Sequence, residues 1–149
     1  MILCDSPVWL ALAISNHTHH DSAQSWIETI DRPASIFFCR ATQQSFLRLL
    51  TTAAVMAPYG SPPLTNFEAW TVYESLLADY RVDFHYREPP GVERLWREFA
   101  VRDTASVKLW MDAYLAAFAH SGGYQMVTTD RAFSQFASLD LVLLSASNP

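Results

Sequence analysis

Apolar positions along this chain switch between two periods. Residues 1–4, Met1-Ile2-Leu3-Cys4, form a short apolar run that Asp5-Ser6-Pro7 closes. Asp or Ser ahead of Pro starts a helix, because the fixed φ of proline suits the first helical position. A helical run carrying Trp9, Leu10, Leu12 and Ala13 follows. A second helix is predicted over 20–30, with Ala23, Trp26, Ile27 and Ile30 at helical spacing. Arg32-Pro33 breaks it, and 35–39 reads as a buried strand. Thr42 is placed as the cap of the next helix, whose core side holds Phe46, Leu47, Leu49 and Leu50. Turn chemistry makes 57–63, Ala-Pro-Tyr-Gly-Ser-Pro-Pro, a loop.

The second half repeats the alternation. A helix over 66–79 precedes a short strand over 82–85, and Pro89-Pro90-Gly91 introduces a helix with Val92, Leu95, Trp96 and Phe99. A long helix is predicted over 105–120, stopping at Gly122-Gly123. A strand over 125–129, a helical turn after Asp130 and a strand over 139–144 complete the reading. Strands alternating with helices across short connections define an α/β chain: a mostly parallel central sheet between two helical layers, a three-layer α/β/α domain. One domain spans 1–149.

Composition narrows the chemistry. Half of the residues are hydrophobic and 17% are charged, which excludes a disordered chain. The longest apolar run, Val8 to Ile14, is far too short to cross a bilayer, so the expectation is a soluble, cytoplasmic protein with no membrane partner. Four glycines, none following the first strand, exclude a phosphate loop and a dinucleotide fingerprint. Cys4 and Cys39 stand alone in apolar stretches and read as buried thiols. The net charge of −5 disfavours binding nucleic acid by bulk charge alone, so a partner of that kind requires a divalent cation or local arginines.

Three acids then need explaining. In parallel sheets ligands bind beyond the carboxyl ends of the strands, and Asp5 and Asp130 both end strands there. Each is also a plausible helix cap. Asp112 lies at the edge of an apolar stripe of Val107, Trp110, Met111, Tyr114, Leu115 and Phe118, where an unpaired carboxylate is costly. Lys108, one turn earlier, offers a weak partner in the less favourable order. A hard cation, Mg²⁺ or Mn²⁺, offers a stronger one, held by the carboxylates of Asp5, Asp112 and Asp130.

The opening Met1-Ile2-Leu3-Cys4-Asp5-Ser6-Pro7-Val8-Trp9-Leu10-Ala11-Leu12, with His17–His20 and Trp26, resembles PIN-domain toxins of the VapC type. So do Cys39-Arg40-Ala41-Thr42-Gln43-Gln44-Ser45-Phe46-Leu47-Arg48, Trp110-Met111-Asp112-Ala113-Tyr114-Leu115 and Thr128-Thr129-Asp130-Arg131-Ala132-Phe133, in order along the chain. The resemblance implies a PIN-like fold and a metal-dependent endoribonuclease cutting single-stranded or loop RNA, often tRNA or ribosomal RNA. It also implies a small cognate antitoxin and a homodimer. Asp5, Asp112 and Asp130 carry over as metal ligands. Where the family usually places a second acid this chain has Gln43, whose amide brings an oxygen but no charge and places tight binding of a second ion in doubt.

Around these residues, Arg40 and Arg131 are candidates for RNA phosphates, with Arg48 a weaker one, and Lys108 for a phosphate or for tuning Asp112. Asp130 or a neighbouring hydroxyl, Thr129 or Ser6, is placed to orient the attacking water. His17, His19 and His20 lack the spacing of a zinc site and are expected near the substrate groove. The rival reading is a catalytically silent PIN-like domain that binds RNA or protein, which Gln43 favours and Asp112 opposes.

Overall fold

The computed structural model describes residues 1–146. Five strands, β1 (Ile2–Cys4), β2 (Ile36–Cys39), β3 (Val82–His85), β4 (Gln125–Thr128) and β5 (Leu141–Leu143), form one sheet in the order β3-β2-β1-β4-β5. Every pairing is parallel, so all five carboxyl ends lie along one edge. Because a sheet buried on both faces needs apolar residues at every position, the central strands read as uninterrupted apolar runs.

Alternate residues supply two cores. Cys4, Ile36, Phe38 and Val127 face one layer, packed with α1 (Ser6–Ala13), α2 (His20–Glu28), α3 (Arg40–Leu50), the single-turn α4 (Ala53–Met56) and α5 (Asn66–Leu77). Leu3, Phe37 and Met126 face the other, packed with α6 (Val92–Ala100), α7 (Leu109–Gly122) and the 3-10 turn Arg131–Gln135. Trp9 anchors the first core, stacked on Phe38 at 3.8 Å between ring centres. Cys4 and Cys39 are buried free thiols, as expected. Among the described residues no helix is long and apolar enough to cross a membrane.

Several boundaries differ from the sequence reading. Cys39, not Thr42, occupies the cap of α3; Thr42 sits in its first turn, where its hydroxyl takes the Cys39 N–H at 3.0 Å. The α7 helix begins at Leu109 rather than at 105, because residues 101–108 are exposed and helical packing starts with buried Leu109. The first part of the expected apolar stripe, before and within the first turn of α7, is therefore solvent-facing: Val107 is 89% and Trp110 59% exposed. The end of α2 falls two residues early, at Glu28, and β5 is shorter than 139–144. Part of the expected 57–63 loop is a 3-10 turn, Ala57–Tyr59, leading to Gly60 at positive φ.

Candidate active site

The acids reach one edge through strand parity. Leu3 faces the α7 layer, so Asp5, two residues on, faces it too. Cys4 pairs with Val127, and the Asp5 N–H extends that ladder to the Val127 carbonyl at 2.9 Å, which sets Asp5 beside Thr128. The Thr128 hydroxyl, fully buried, donates to Asp5 Oδ2 at 2.8 Å and accepts the Asp130 N–H at 3.0 Å. Asp5 Oδ1 accepts the Ser6 N–H at 2.8 Å and caps α1; Asp130 Oδ1 accepts the Ala132 N–H at 2.8 Å and caps the turn after β4. Each acid therefore does serve as a cap, and the cap leaves carboxylate lone pairs unused.

Asp112 enters from the first turn of α7 and is half-buried. Burial, the nearby charge of Asp130 and, opposing them, Lys108 act on it, with a net push upward from the ordinary carboxylate range. Asp5 is only 8% exposed. Burial first, and then the charges of Asp112 and Asp130, raise its carboxyl to about 6 against the lowering effect of Thr128 and Ser6. The three acids thus feel one another's charge, and among the described residues Lys108 makes no ion pair that relieves it. Nor do three acidic, histidine or cysteine side chains close around a common point at ligand distance among those residues. In residue type, excess negative charge and unused oxygens, the set suits a hard divalent cation.

Asp112 and Asp130 line a cavity of about 320 Å³ with Lys108, Arg102, Thr104 and Ser106. The last three were not picked out by the sequence reading, since they fall in a stretch it placed at or beyond the start of the long helix. Thr128 was missed as well: hydroxyls at Thr129 and Ser6 were singled out, while parity with Met126 and Asp130 marks Thr128 as the one facing the acids. Thr129 and Arg131 instead line a second cavity of about 540 Å³ with His19 and residues 143–146. The buried Ser6 hydroxyl donates to the Thr42 carbonyl at 3.4 Å, tying α1 to α3.

Gln43 is buried in the first turn of α3, where its side-chain oxygen accepts a hydrogen bond from the Arg40 guanidinium. That guanidinium also stacks 4.7 Å over the Phe84 ring. Gln43 is thus engaged by Arg40 and Tyr73, while the Ser6–Thr42 bond ties the neighbouring residue of α3 to the start of α1.

A parallel five-stranded sheet between helical layers, with acids gathered at its carboxyl edge, is the architecture of a PIN domain. Residues 2–139 match the PIN domain family, to which the chain belongs. Within it, the chain is 55% identical over 145 residues to Ribonuclease VapC41 of Mycobacterium tuberculosis, covering 97% of this chain and 99% of that one, and this places it in the VapC branch. Among solved structures it resembles Mycobacterium tuberculosis VapC20, a Sarcin-Ricin loop cleaving toxin, with a TM-score of 0.65 at 16% identity over 94% of this chain and 98% of that one. It also resembles VapBC2 from Rickettsia felis, bound to a DNA fragment from their promoter, with a TM-score of 0.66 at 12% identity over 96% and 98%. At those identities the structural likeness concerns the fold.

Proposed function

We infer that this chain is the endoribonuclease toxin of a toxin–antitoxin pair, and we propose that it cuts loop or structured RNA, tRNA or ribosomal RNA, with the help of Mg²⁺ or Mn²⁺. The observation that carries the proposal is the placement of Asp5, Asp112 and Asp130 along one carboxyl edge, where burial, together with their neighbouring charges, raises the carboxyls of Asp5 and Asp112. Buried carboxylates of like sign are retained at a cost that a cation removes. When bound there, such an ion supplies charge that activates water and stabilises a phosphate in transit.

The residues of the chain then have separable roles. Thr128 and the Ser6 amide hold Asp5 in one orientation. Asp5, Asp112 and Asp130 would together hold the ion. Asp130 keeps Oδ2 clear of its capping bond, in position to orient the attacking water. Lys108, on the rim with Asp112, meets the RNA phosphate, and Arg131 and Thr129 meet the strand on the other side of Asp130. Gln43 anchors Arg40, which presents its guanidinium to RNA, and contributes no charge to the metal set.

The partners proposed are a cognate small antitoxin and a second copy of the chain. Support for macromolecular partners is the apolar surface: Phe67 is 82% exposed on α5, and Val107 and Trp110 lie open near the start of α7. The functional reading is tested by incubating the purified chain with total bacterial RNA and Mg²⁺ and mapping the new RNA ends. A few discrete ends in tRNA or ribosomal RNA are expected. Intact RNA, or a featureless smear, counts against the proposal.

A further inference from the structure

The second cavity has no role in the metal set, yet Thr129 and Arg131, the residues on either side of Asp130, both line it. Its far wall is residues 143–146, at and just beyond the carboxyl end of β5, and its remaining side is His19, at the start of α2. The two cavities thus lie on opposite sides of Asp130: one toward α7, with Asp112 and Lys108, the other toward β5 and α2.

The three clustered histidines differ in what they do. His17 packs at a tilt against Tyr59 at 4.8 Å and against the His19 ring at 5.7 Å between ring centres, and its Nδ1 accepts the His19 N–H at 3.1 Å. His20 Nδ1 is 2.8 Å from the Ala11 carbonyl, which it meets as a donor. The His19 ring has no hydrogen-bond partner among the described residues and lines the cavity instead. Arg131 is exposed and likewise makes no ion pair among them. In a chain of net charge −5, two nitrogen donors are thus left unpaired around one cavity, beside a carboxylate of the active site. Leu143, 37% exposed at the end of β5, adds an apolar side chain to the same space, whereas Leu144 is packed in the core.

We propose that this cavity is a second RNA subsite, seating the nucleotide that adjoins the cleaved bond on the β5 side. Arg131 and His19 grip its phosphate, and the Leu143 side chain backs its sugar. Guanidinium and imidazole donors suit a phosphate. His19 is a positioning residue: it holds the strand across the acids and takes no part in bond breaking. The assignment rests on the nuclease reading for its meaning, and the two can fail separately.

The test measures a fluorescent single-stranded RNA oligonucleotide of mixed sequence in two ways: anisotropy in Ca²⁺, and cleavage in Mg²⁺. Proteins are wild type, His19→Ala, His19→Gln, Arg131→Ala and, as a distant control on α6, Arg94→Ala, each checked for an unchanged melting temperature. His19→Ala and Arg131→Ala are expected to weaken RNA binding roughly three- to tenfold. They should raise KM by a similar factor and leave kcat within about twofold, the pattern of lost uniform binding. His19→Gln, which keeps an N–H donor, should recover part of the loss. Arg131→Ala should also flatten the salt dependence by about 0.7 in log–log slope, one phosphate contact on a single strand. If wild type cleaves while His19→Ala and Arg131→Ala both match Arg94→Ala, the subsite is wrong and the nuclease stands. If wild type binds RNA through His19 and Arg131 but cuts none, the nuclease reading falls and the subsite stands.

Discussion

The Thr128 hydroxyl joins two acids of the site: it donates to Asp5 Oδ2 at 2.8 Å and receives the Asp130 amide N–H at 3.0 Å. One buried side chain thereby fixes the end of β1 against the end of β4. Thr128→Val keeps the shape and removes both bonds, leaving a buried carboxylate short of a donor. A stability loss of about 1–3 kcal/mol is expected, read by urea melts. Activity should fall by roughly tenfold or more, as when a group that orients a metal ligand is lost. Thr128→Ser should restore most of both, and an unchanged Thr128→Val variant would remove the hydroxyl from the account.

Asp5 makes stability depend on pH in a defined direction. Its carboxyl is raised from 3.8 to about 6 in the fold, chiefly by burial, so the folded state binds the proton more tightly than the unfolded state. Stability in chelator is therefore fullest below the unfolded value and falls as pH rises through about 6. The interval corresponds to about 3 kcal/mol at 1.36 kcal/mol per pKa unit. Asp5→Asn, which keeps a capping oxygen, should gain on wild type by that order between pH 4 and 7. A difference between the two that stays flat across this range contradicts the burial argument.

Asp112 should separate stability from chemistry. Its raised carboxyl means that its charge opposes folding in chelator, so Asp112→Asn should melt no lower than wild type there. Mn²⁺ at about a hundred times its dissociation constant should stabilise wild type by ~2.7 kcal/mol and the variant far less. Equal stabilisation of both by Mn²⁺ would take Asp112 out of the ligand set.

Gln43 is accounted for by Arg40 rather than by an ion. Gln43→Ala should free the guanidinium and weaken RNA binding, with KM rising about three- to tenfold at a nearly constant kcat. Gln43→Glu keeps the Arg40 partner and adds a charge, so it should retain activity and lower the Mn²⁺ concentration needed for half-maximal rate. Collapse of kcat in Gln43→Ala would instead place the amide in the reacting centre.

The parallel sheet and its helical layers were legible because the strands carry apolar runs and each is closed by a polar turn or cap. Helix starts were less so. Cys39 as the cap of α3 carries no capping signature in its residue type, and Thr42 closes the box from inside the helix. The start of α7 was misplaced because Ala105 and Val107 extend a helical pattern that nothing buries. Asp5, Asp112 and Asp130 stood out as acids in apolar or strand-end settings, a contrast visible in one dimension. Thr128, which bridges Asp5 and Asp130, and Arg102, Thr104 and Ser106, which line a cavity with Asp112, depend on three-dimensional register and did not.

The most direct test of the account compares wild type with Asp112→Asn on the same RNA, in Mg²⁺, in Mn²⁺ and in chelator. Wild type is expected to yield discrete fragments with either ion and none in chelator, and a folded Asp112→Asn to lose at least a hundredfold, ~2.7 kcal/mol in barrier. Cleavage by wild type that persists in chelator, or an Asp112→Asn variant that cuts at the wild-type rate, would contradict it.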